Sequence, residues 1–429
     1  MNSIWAIGLV AALLSPPDVS AVDGYVSSYR AEAGYPGVAV AITKGDQVIT
    51  AKGYGHDSSG APVTEHTKMA IASVSKSFTA LAVRQLADAG ELDLDRPVRT
   101  YLPDFEVADP RGERITVRHL LNHTSGITDR TLPEKSLPQP NTPAEAVQRA
   151  RQATLAADPG VQNRYTNTNY HVAGRLVEVV SGENFNAYLK KHIFEPLGMN
   201  ETVAIDVTPR DLPSDYREGH VYAYGVSVAA AEPHRFVAGS DGVISTAADM
   251  ARWLAAQQAL APRDGLGWTA DERGSLRHSG IWFTGTAGQL LTKSGYGIAV
   301  MTNSGVGFGN EGTSGLEDGI ADLLDGAVPP EPSSPRLAID LVLAALTLSS
   351  LGLTIRALRR PRRFHKAWQV VRFVPLGVLV ALPAMTGLLY GGGRDITFFQ
   401  LAHYSLPLVV WLGVSSVMNI GVAVVRWRR

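Results

Sequence analysis

Three apolar stretches near the end of the chain, residues 337–355, 373–390 and 405–425, constrain its fold more than any other feature. Each is close to the roughly 20 residues that carry a helix across a bilayer. Inside hydrocarbon every backbone polar group must be bonded within the protein, so separate segments of this length are expected as transmembrane helices. A buried helical core is the competing explanation, and the flanking charges decide against it. Between the first two stretches stand Arg356, Arg359, Arg360, Arg362, Arg363, Lys366 and Arg372 without an acid; the second connection carries only Arg394 and Asp395; Arg426, Arg428 and Arg429 follow the third. Basic residues stay on the cytoplasmic side. The first connection and the C-terminus are therefore expected inside, and the second connection and everything before residue 336 outside. Asp340, in the first turn of the first stretch, reads as interfacial rather than as a proton relay.

The start of the chain agrees with that topology. An apolar run from Ile4 to Leu14, a proline pair and the small residues Val19-Ser20-Ala21 read as a secretory signal over residues 1–21. Residues 327–336, rich in proline and serine, read as a short stiff linker holding an extracytoplasmic body against the membrane, with lipid as one partner. The net charge is -1 and no dense basic stripe lies outside the last third, which argues against nucleic acid as a partner. The chain has no cysteine, which excludes disulfides, cysteine nucleophiles and thiolate metal sites. Neither a metal nor another cofactor is expected.

Within the body, residues 22–326, short strand patterns stand at both ends with helices between. Residues 38–43 and 47–55 predict a hairpin turning at Lys44-Gly45-Asp46. Residues 285–303 predict two strands around a turn at Lys293-Ser294-Gly295, and the run GLEDGIADLLDG predicts the last helix. The expectation is an α/β (α+β) domain: one antiparallel sheet assembled from distant parts of the chain, flanked by helices and interrupted by a helical insertion.

Three clusters carry possible chemistry. Ser73 and Lys76 open the run SVSKSFTALAVRQLADAG, whose helical pattern places a hydroxyl and an amine one turn apart on one face. An alkyl hydroxyl needs a neighbour to take its proton before it attacks, so this pair suggests acyl transfer. Tyr165-Thr166-Asn167 offers a phenol able to shuttle protons and an amide able to contact an amide substrate. His278-Ser279-Gly280, followed by Ile281, resembles an edge strand on which glycine lets substrate come close and a following backbone N–H could face a carbonyl. Lys293-Ser294-Gly295 is set aside as a turn. His66, His119 and His123 read as structural.

Ser-x-x-Lys, then Tyr-x-Asn, then His-Ser-Gly in this order, with the connecting phrases GELDLDRPVRTYLPDF, ITVRHLLNHTSGI, FEPLGM and GVISTAADMARWL, resembles the class C-like branch of the serine β-lactamase and penicillin-binding peptidase superfamily over about residues 25–326. The resemblance implies Ser73 as the acylated nucleophile and Lys76 with Tyr165 as the proton-transfer pair, either of which could be the base. It implies Asn167 against the substrate amide and the N–H groups of Ser73 and Ile281 as an oxyanion hole. His278 stands where β-lactamases of this branch carry lysine, which puts efficient β-lactamase activity and recognition of a free C-terminal carboxylate in doubt. Signal, serine domain and three spans together are similar to the membrane-anchored prodrug-activating peptidases, the group that includes the colibactin-maturing peptidase. That likeness implies removal of an N-acyl-D-amino acid, typically of the D-Asn type, from an acylated peptide-like small molecule at the outer face of the membrane, with an exporter as a possible partner. A general esterase, a D-aminopeptidase or a cell-wall peptidase uses the same chemistry, and a ligand-binding receptor is the alternative outside catalysis.

Overall fold

A computed structural model describes residues 19–260, 265–310, 312–359, 371–389 and 393–427. Most of the expected signal, the basic run 360–370, Tyr390 and the last two arginines lie outside the described residues. The expected cleavage residues fall at the start of helix α1 (Val19–Ala33), whose Val22 and Val26 are already buried.

The hairpin of β1 (Gly37–Lys44) and β2 (Gln47–Gly55) forms as the pattern predicts, with Gly45 at φ +58° in its turn. It joins a six-stranded antiparallel sheet whose other members come from more than 200 residues later: β10 (Thr269–Ala270), β11 (Leu276–Ile281), β12 (Thr286–Leu291) and β13 (Tyr296–Thr302), in the order β10-β11-β12-β13-β1-β2. The turn between β12 and β13 holds Lys293-Ser294-Gly295, as expected. Strand β1 is buried on both faces, and its alternation sorts residues between two cores. Val38, Val40 and Ile42 point to a layer with Val22, Val26 and, from α8 (Ser314–Leu324), Leu316 and Ile320. Ala39 and Ala41 face the opposite layer, which contains Phe78 of α2 (Ser75–Asp88) and Trp253 of α7 (Ala247–Leu260). Small alanines there let α7 lie close to the sheet. Each fully buried Val, Leu or Phe contributes roughly 1.5–3 kcal/mol.

The same inner layer fixes the start of α2. Phe78 stacks on Trp253 with ring centres 3.7 Å apart; Trp253 Nε1 donates to Gln289 Oε1 (2.8 Å), and Gln289 Nε2 donates to Ser77 Oγ (3.0 Å). The insertion contributes α3 (Val117–Leu121), α4 (Pro143–Ala150), α5 (Asn167–Ser181) and α6 (Phe185–Leu189). It also holds short pairings of β3 (Met69–Ala70) and β4 (Val203–Ala204) with β9 (Val243–Ser245), of β5 (Val207–Thr208) with β8 (Arg235–Phe236), and of β6 (Gly219–Ala223) with β7 (Val226–Ala230).

At the C-terminal end stand α9 (Arg336–Arg359), α10 (Val374–Leu389), a short α11 (Phe398–Tyr404) and α12 (Leu406–Trp427). Three helical segments here are long and apolar enough to cross a membrane, and only 17%, 11% and 28% of their apolar windows is buried inside the protein. Surfaces that apolar need an apolar surrounding. Ser415 Oγ donates to Ser350 Oγ (2.9 Å) where α12 meets α9.

Body and helices interlock around the proline-rich segment expected as a stiff linker. The Arg336 guanidinium is buried over the Tyr222 ring, 4.0 Å from its centre, and donates to Gly305 O. Asp340 accepts from Tyr224 N (2.7 Å), so the expected interfacial acid is a docking point for the β6–β7 hairpin. The connection from α10 to α11 reaches furthest into the body: Arg394 Nε donates to Asp129 Oδ2 at 2.6 Å, and Asp395 accepts from Ser136 N and Oγ. Gly387 permits this, since a Cβ there would stand 2.2 Å from Arg394 O.

Candidate active site

Ser73 lies on a 3₁₀ turn, Ala72–Val74, running directly into α2, and Ala72 before it takes φ +46°. A non-glycine residue in the left-handed region costs on the order of 1 kcal/mol, and such strain gathers where a side chain must be aimed. The turn presents Ser73 Oγ to three partners. It accepts from Lys76 Nζ (3.0 Å) and Tyr165 OH (2.9 Å), and donates to Asp241 Oδ1 (2.7 Å).

Lys76 is fully buried, and four oxygens lie within hydrogen-bond reach of its amine: Ser73 Oγ, Asn167 Oδ1 and Ser240 O at 3.0 Å, and Asp241 Oδ1 at 3.2 Å. An ammonium has three hydrogens, so these four acceptors already saturate it. Asn167 is the first residue of α5; its Nδ2 donates to Asp241 Oδ2 (3.0 Å) and Glu134 Oε1 (3.2 Å). Tyr165, two residues before, packs against His123 with ring centres 4.3 Å apart and planes tilted by 31°, while the Lys76 amine and the Arg394 guanidinium lie 4.9 and 4.7 Å from the centre of its ring. His123 thus supports the phenol, whereas His119 caps α3 through Thr116.

Asp241 is placed by tight backbone packing. Gly239 has φ +76°, and a Cβ on it would meet Tyr170 O at 2.3 Å, so Gly239-Ser240-Asp241 crosses α5 at a distance only glycine allows. Burial alone would raise the Asp241 pKa. Lys76, then Arg235, then the Ser73 bond overcome this and hold it well below the usual carboxylate range.

Strand β11 forms the other wall. Strand β10 pairs with Leu276 and Arg277, and among the described residues no strand pairs with residues 278–281 on that side. A Cβ at Gly280 would lie 2.4 Å from Ile71 O and 2.8 Å from Ser73 N, so the strand passes in direct contact with the backbone of Ser73. Ser279 and Ile281 line the same cavity as Ser73, Tyr165 and Asn167. The His278 side chain instead lines an adjoining cavity of ≈ 250 Å³ with His123 and the other side of Tyr165, and its Nδ1 donates to Gly267 O (2.8 Å). Burial, and then the charge of Lys76, lower the His278 pKa to about 4, so the imidazole is neutral at ordinary pH.

The main cavity measures ≈ 740 Å³. Its walls include Trp282 and Phe283 from the body, and Ile339, Thr386, Ile396 and Tyr404 from the C-terminal helices and their connection. Its polar lining includes Asp241, Lys135, Arg235 and Arg394, none of which the sequence motifs single out. Asp241 directly precedes the phrase GVISTAADMARWL, and Arg394 enters the sequence reading only as a topology charge.

The chain matches the family profile described as Beta-lactamase over residues 22–316. Among curated proteins it is 34% identical to the putative penicillin-binding protein PbpX of Bacillus subtilis over 41% of this chain and 42% of that protein, so the match spans less than half of that relative's length. It is 32% identical to penicillin-binding protein 4 of Amycolatopsis lactamdurans over 67% of this chain and 77% of the relative. Among solved structures, the octameric penicillin-binding protein homologue of Pyrococcus abyssi superposes with a TM-score of 0.62 at 28% identity, covering 76% of this chain and 81% of that one. The penicillin-binding protein of Bacillus halodurans superposes at 0.55 with 23% identity, a likeness of fold.

Proposed function

The chain belongs to the beta-lactamase family, and from that membership we propose that it is a membrane-anchored serine amide hydrolase working through an acyl-enzyme on Ser73 at the extracytoplasmic face. The observation that carries this reading is the Ser73 hydroxyl held within 3.0 Å of Lys76 and Tyr165, on the wall of a cavity closed partly by the apolar C-terminal helices. Lys76, saturated with acceptors, fixes Oγ. The Lys76–Tyr165 pair acts in the state one proton short of the resting ammonium and phenol; in that state it takes the Ser73 hydrogen, which points to Asp241 at rest, as Oγ bonds to the substrate carbonyl carbon. The N–H groups of Ser73 and Ile281, on either side of the contact made by Gly280, receive the carbonyl oxygen as it becomes negative. The C–N bond then breaks, the pair returns the proton to the departing nitrogen, and water attacks the acyl-enzyme by the same route to release the acid. Asp241 holds the serine and lysine in register.

For the substrate we favour an N-acyl-D-amino acid amide, cleaved as a prodrug group from an acylated peptide-like small molecule. The cavity's size, its aromatic and aliphatic walls and its position beside the apolar helices support this reading. The test compares acyl-D-asparaginyl anilides, p-nitrophenyl esters and cell-wall stem peptides on the full chain, with intact-mass detection of a Ser73 adduct. Ser73→Ala should lose all turnover. Hydrolysis of esters alone would sink the prodrug assignment.

A further inference from the structure

The cavity beside Ser73 is unusually rich in cations, and they are not neutralised evenly. Lys135, Arg235 and Arg394 line it, against Asp241 as its acid. The neighbouring carboxylates already have partners: Asp241 is bonded to Lys76, Glu134 to Arg149 and Asn167, and Asp129 to Arg394, which leaves Lys135 and Arg235 as the cations of the lining that no carboxylate among the described residues accepts from. Lys135 Nζ donates to the backbone oxygen of Asp395 (3.2 Å). Arg235 lies 3.8 Å from Asp241 and 3.9 Å from Glu232, beyond hydrogen-bond distance, and its Nε and NH2 are buried with no hydrogen-bond partner. Glu232, whose pKa is raised by burial against the pull of Arg235, makes its hydrogen bonds to Thr284 instead. Among the described residues neither Lys135 nor Arg235 donates a hydrogen bond to a carboxylate. Buried guanidinium N–H groups without acceptors cost free energy, and an incoming anion would remove that cost.

The cations reach the cavity from three parts of the chain: Lys135 from the insertion, Arg235 from β8, and Arg394 from the connection between α10 and α11. Trp282 and Phe283 lie under Arg235, with ring centres 5.9 and 5.2 Å from its guanidinium carbon, which fixes the plane it presents. This set is separate from His278, whose neutral ring faces the adjoining cavity and brings no positive charge to the substrate.

We propose that Lys135, Arg235 and Arg394 form an anion subsite that selects substrates carrying a carboxylate near the scissile amide, and that the membrane helices take part in specificity by supplying Arg394. The inference rests on the Ser73 hydrolase reading and adds a charge requirement to the substrate class. Arg235 is its centre, a guanidinium on the cavity wall that donates to no carboxylate among the described residues; Lys135 adds a second charge to the lining; Arg394, held by Asp129, shapes the wall next to Tyr165.

The test uses the full chain in detergent and two pairs of isosteric substrates. One pair differs in the acyl part, N-acyl-D-aspartyl against N-acyl-D-asparaginyl anilide. The other differs in the leaving part, an N-acyl dipeptide with a free terminal carboxylate against its carboxamide. In at least one pair the carboxylate member should have the higher kcat/KM, by tenfold or more, chiefly through KM. Arg235→Gln and Lys135→Gln should each lower kcat/KM for the carboxylate member several times more than for its amide twin, and Arg235→Lys should restore part of the preference. Labelling of Ser73 by a fluorophosphonate confirms that each variant is folded. Equal kcat/KM within both pairs, or a preference that survives both glutamine variants, overturns the subsite. Failure of the wild-type chain to cleave any of the four would instead remove the hydrolase reading beneath it.

Discussion

Replacing Arg394 by alanine should destabilise the catalytic body although Arg394 stands 265 residues from its partner. Asp129 is 3% exposed; its Oδ2 accepts from Arg394 Nε (2.6 Å) and Asp395 N (3.1 Å), and its Oδ1 is buried with no partner. Removing one member of a buried pair leaves an uncompensated charge, at a cost of roughly 3–5 kcal/mol. Because the Arg394 side chain is 22% exposed, solvent screens part of the interaction and the lower end, about 3 kcal/mol, is the better figure. For a body of this size that lowers the melting temperature by roughly 5 °C. Since the loss is the stranded carboxylate rather than the missing arginine, Asp129→Asn added to Arg394→Ala should recover most of it. The assay is thermal unfolding of the full chain in detergent, followed by tryptophan fluorescence, for the wild type, both single variants and the double variant. A coupling between the two changes of at least about 1 kcal/mol is expected for residues in contact. Strict additivity would refute the docking of the α10–α11 connection against the body. The same reasoning predicts that deleting residues after 335 damages the body, because Asp129 then loses both of its donors.

Asp241→Asn should lower kcat by about 10–100-fold with a smaller change in KM, because it weakens charge-assisted bonds to Ser73 and Lys76 worth about 1.5–3 kcal/mol each; wild-type kcat in steady-state kinetics would count against the positioning role. Gly280→Ala should leave a folded chain with little activity, since its Cβ would press on Ile71 O at 2.4 Å and Ser73 N at 2.8 Å; circular dichroism together with turnover separates this from unfolding. The His278 pKa of about 4 makes stability fall in acid: below about 6.5 the unfolded imidazole takes a proton that the folded one refuses until about pH 4, a loss of about 3 kcal/mol across that window. Melting temperature measured from pH 7 to 4 should therefore drop less steeply in His278→Gln than in the wild type, and identical slopes would contradict the assignment.

What the sequence made legible was local. Ser73 and Lys76 are three residues apart on one helix, Tyr165 and Asn167 two apart at a helix start, and Gly280 belongs to a strand whose neighbours alternate. In each case spacing alone sets relative geometry. The hairpin at Gly45 and the turn at Gly295 were readable for the same reason. The residues that were not legible meet across long separations: Asp241 lies 168 residues from Ser73, and Arg394 is 265 from Asp129. Ser240-Asp241-Gly242 looks like an ordinary turn, and nothing in its own residues says that Gly239 will pass α5 closely enough to deliver the carboxylate to a serine. His123 read as structural, and its ring contact with Tyr165 depends on a segment 42 positions later.

Arg394 shows why a charge count alone could not find the site. On the positive-inside rule the second connection is the side where arginine is scarce, and its neighbour Asp395 makes the pair read as neutral and unremarkable. In the structure the two charges part company. Asp395 accepts from the Ser136 backbone and side chain, while Arg394 turns into the cavity toward Tyr165. A charge that served topology alone would need no buried partner, yet Arg394 has Asp129, and its pKa is raised: burial works to lower it, but Asp129 and then Tyr165 prevail. Among the described residues, the buried Asp129 carboxylate of the body accepts hydrogen bonds from the α10–α11 connection alone. That dependence makes the connection part of the candidate site, and it follows from one carboxylate and one guanidinium without reference to any membrane.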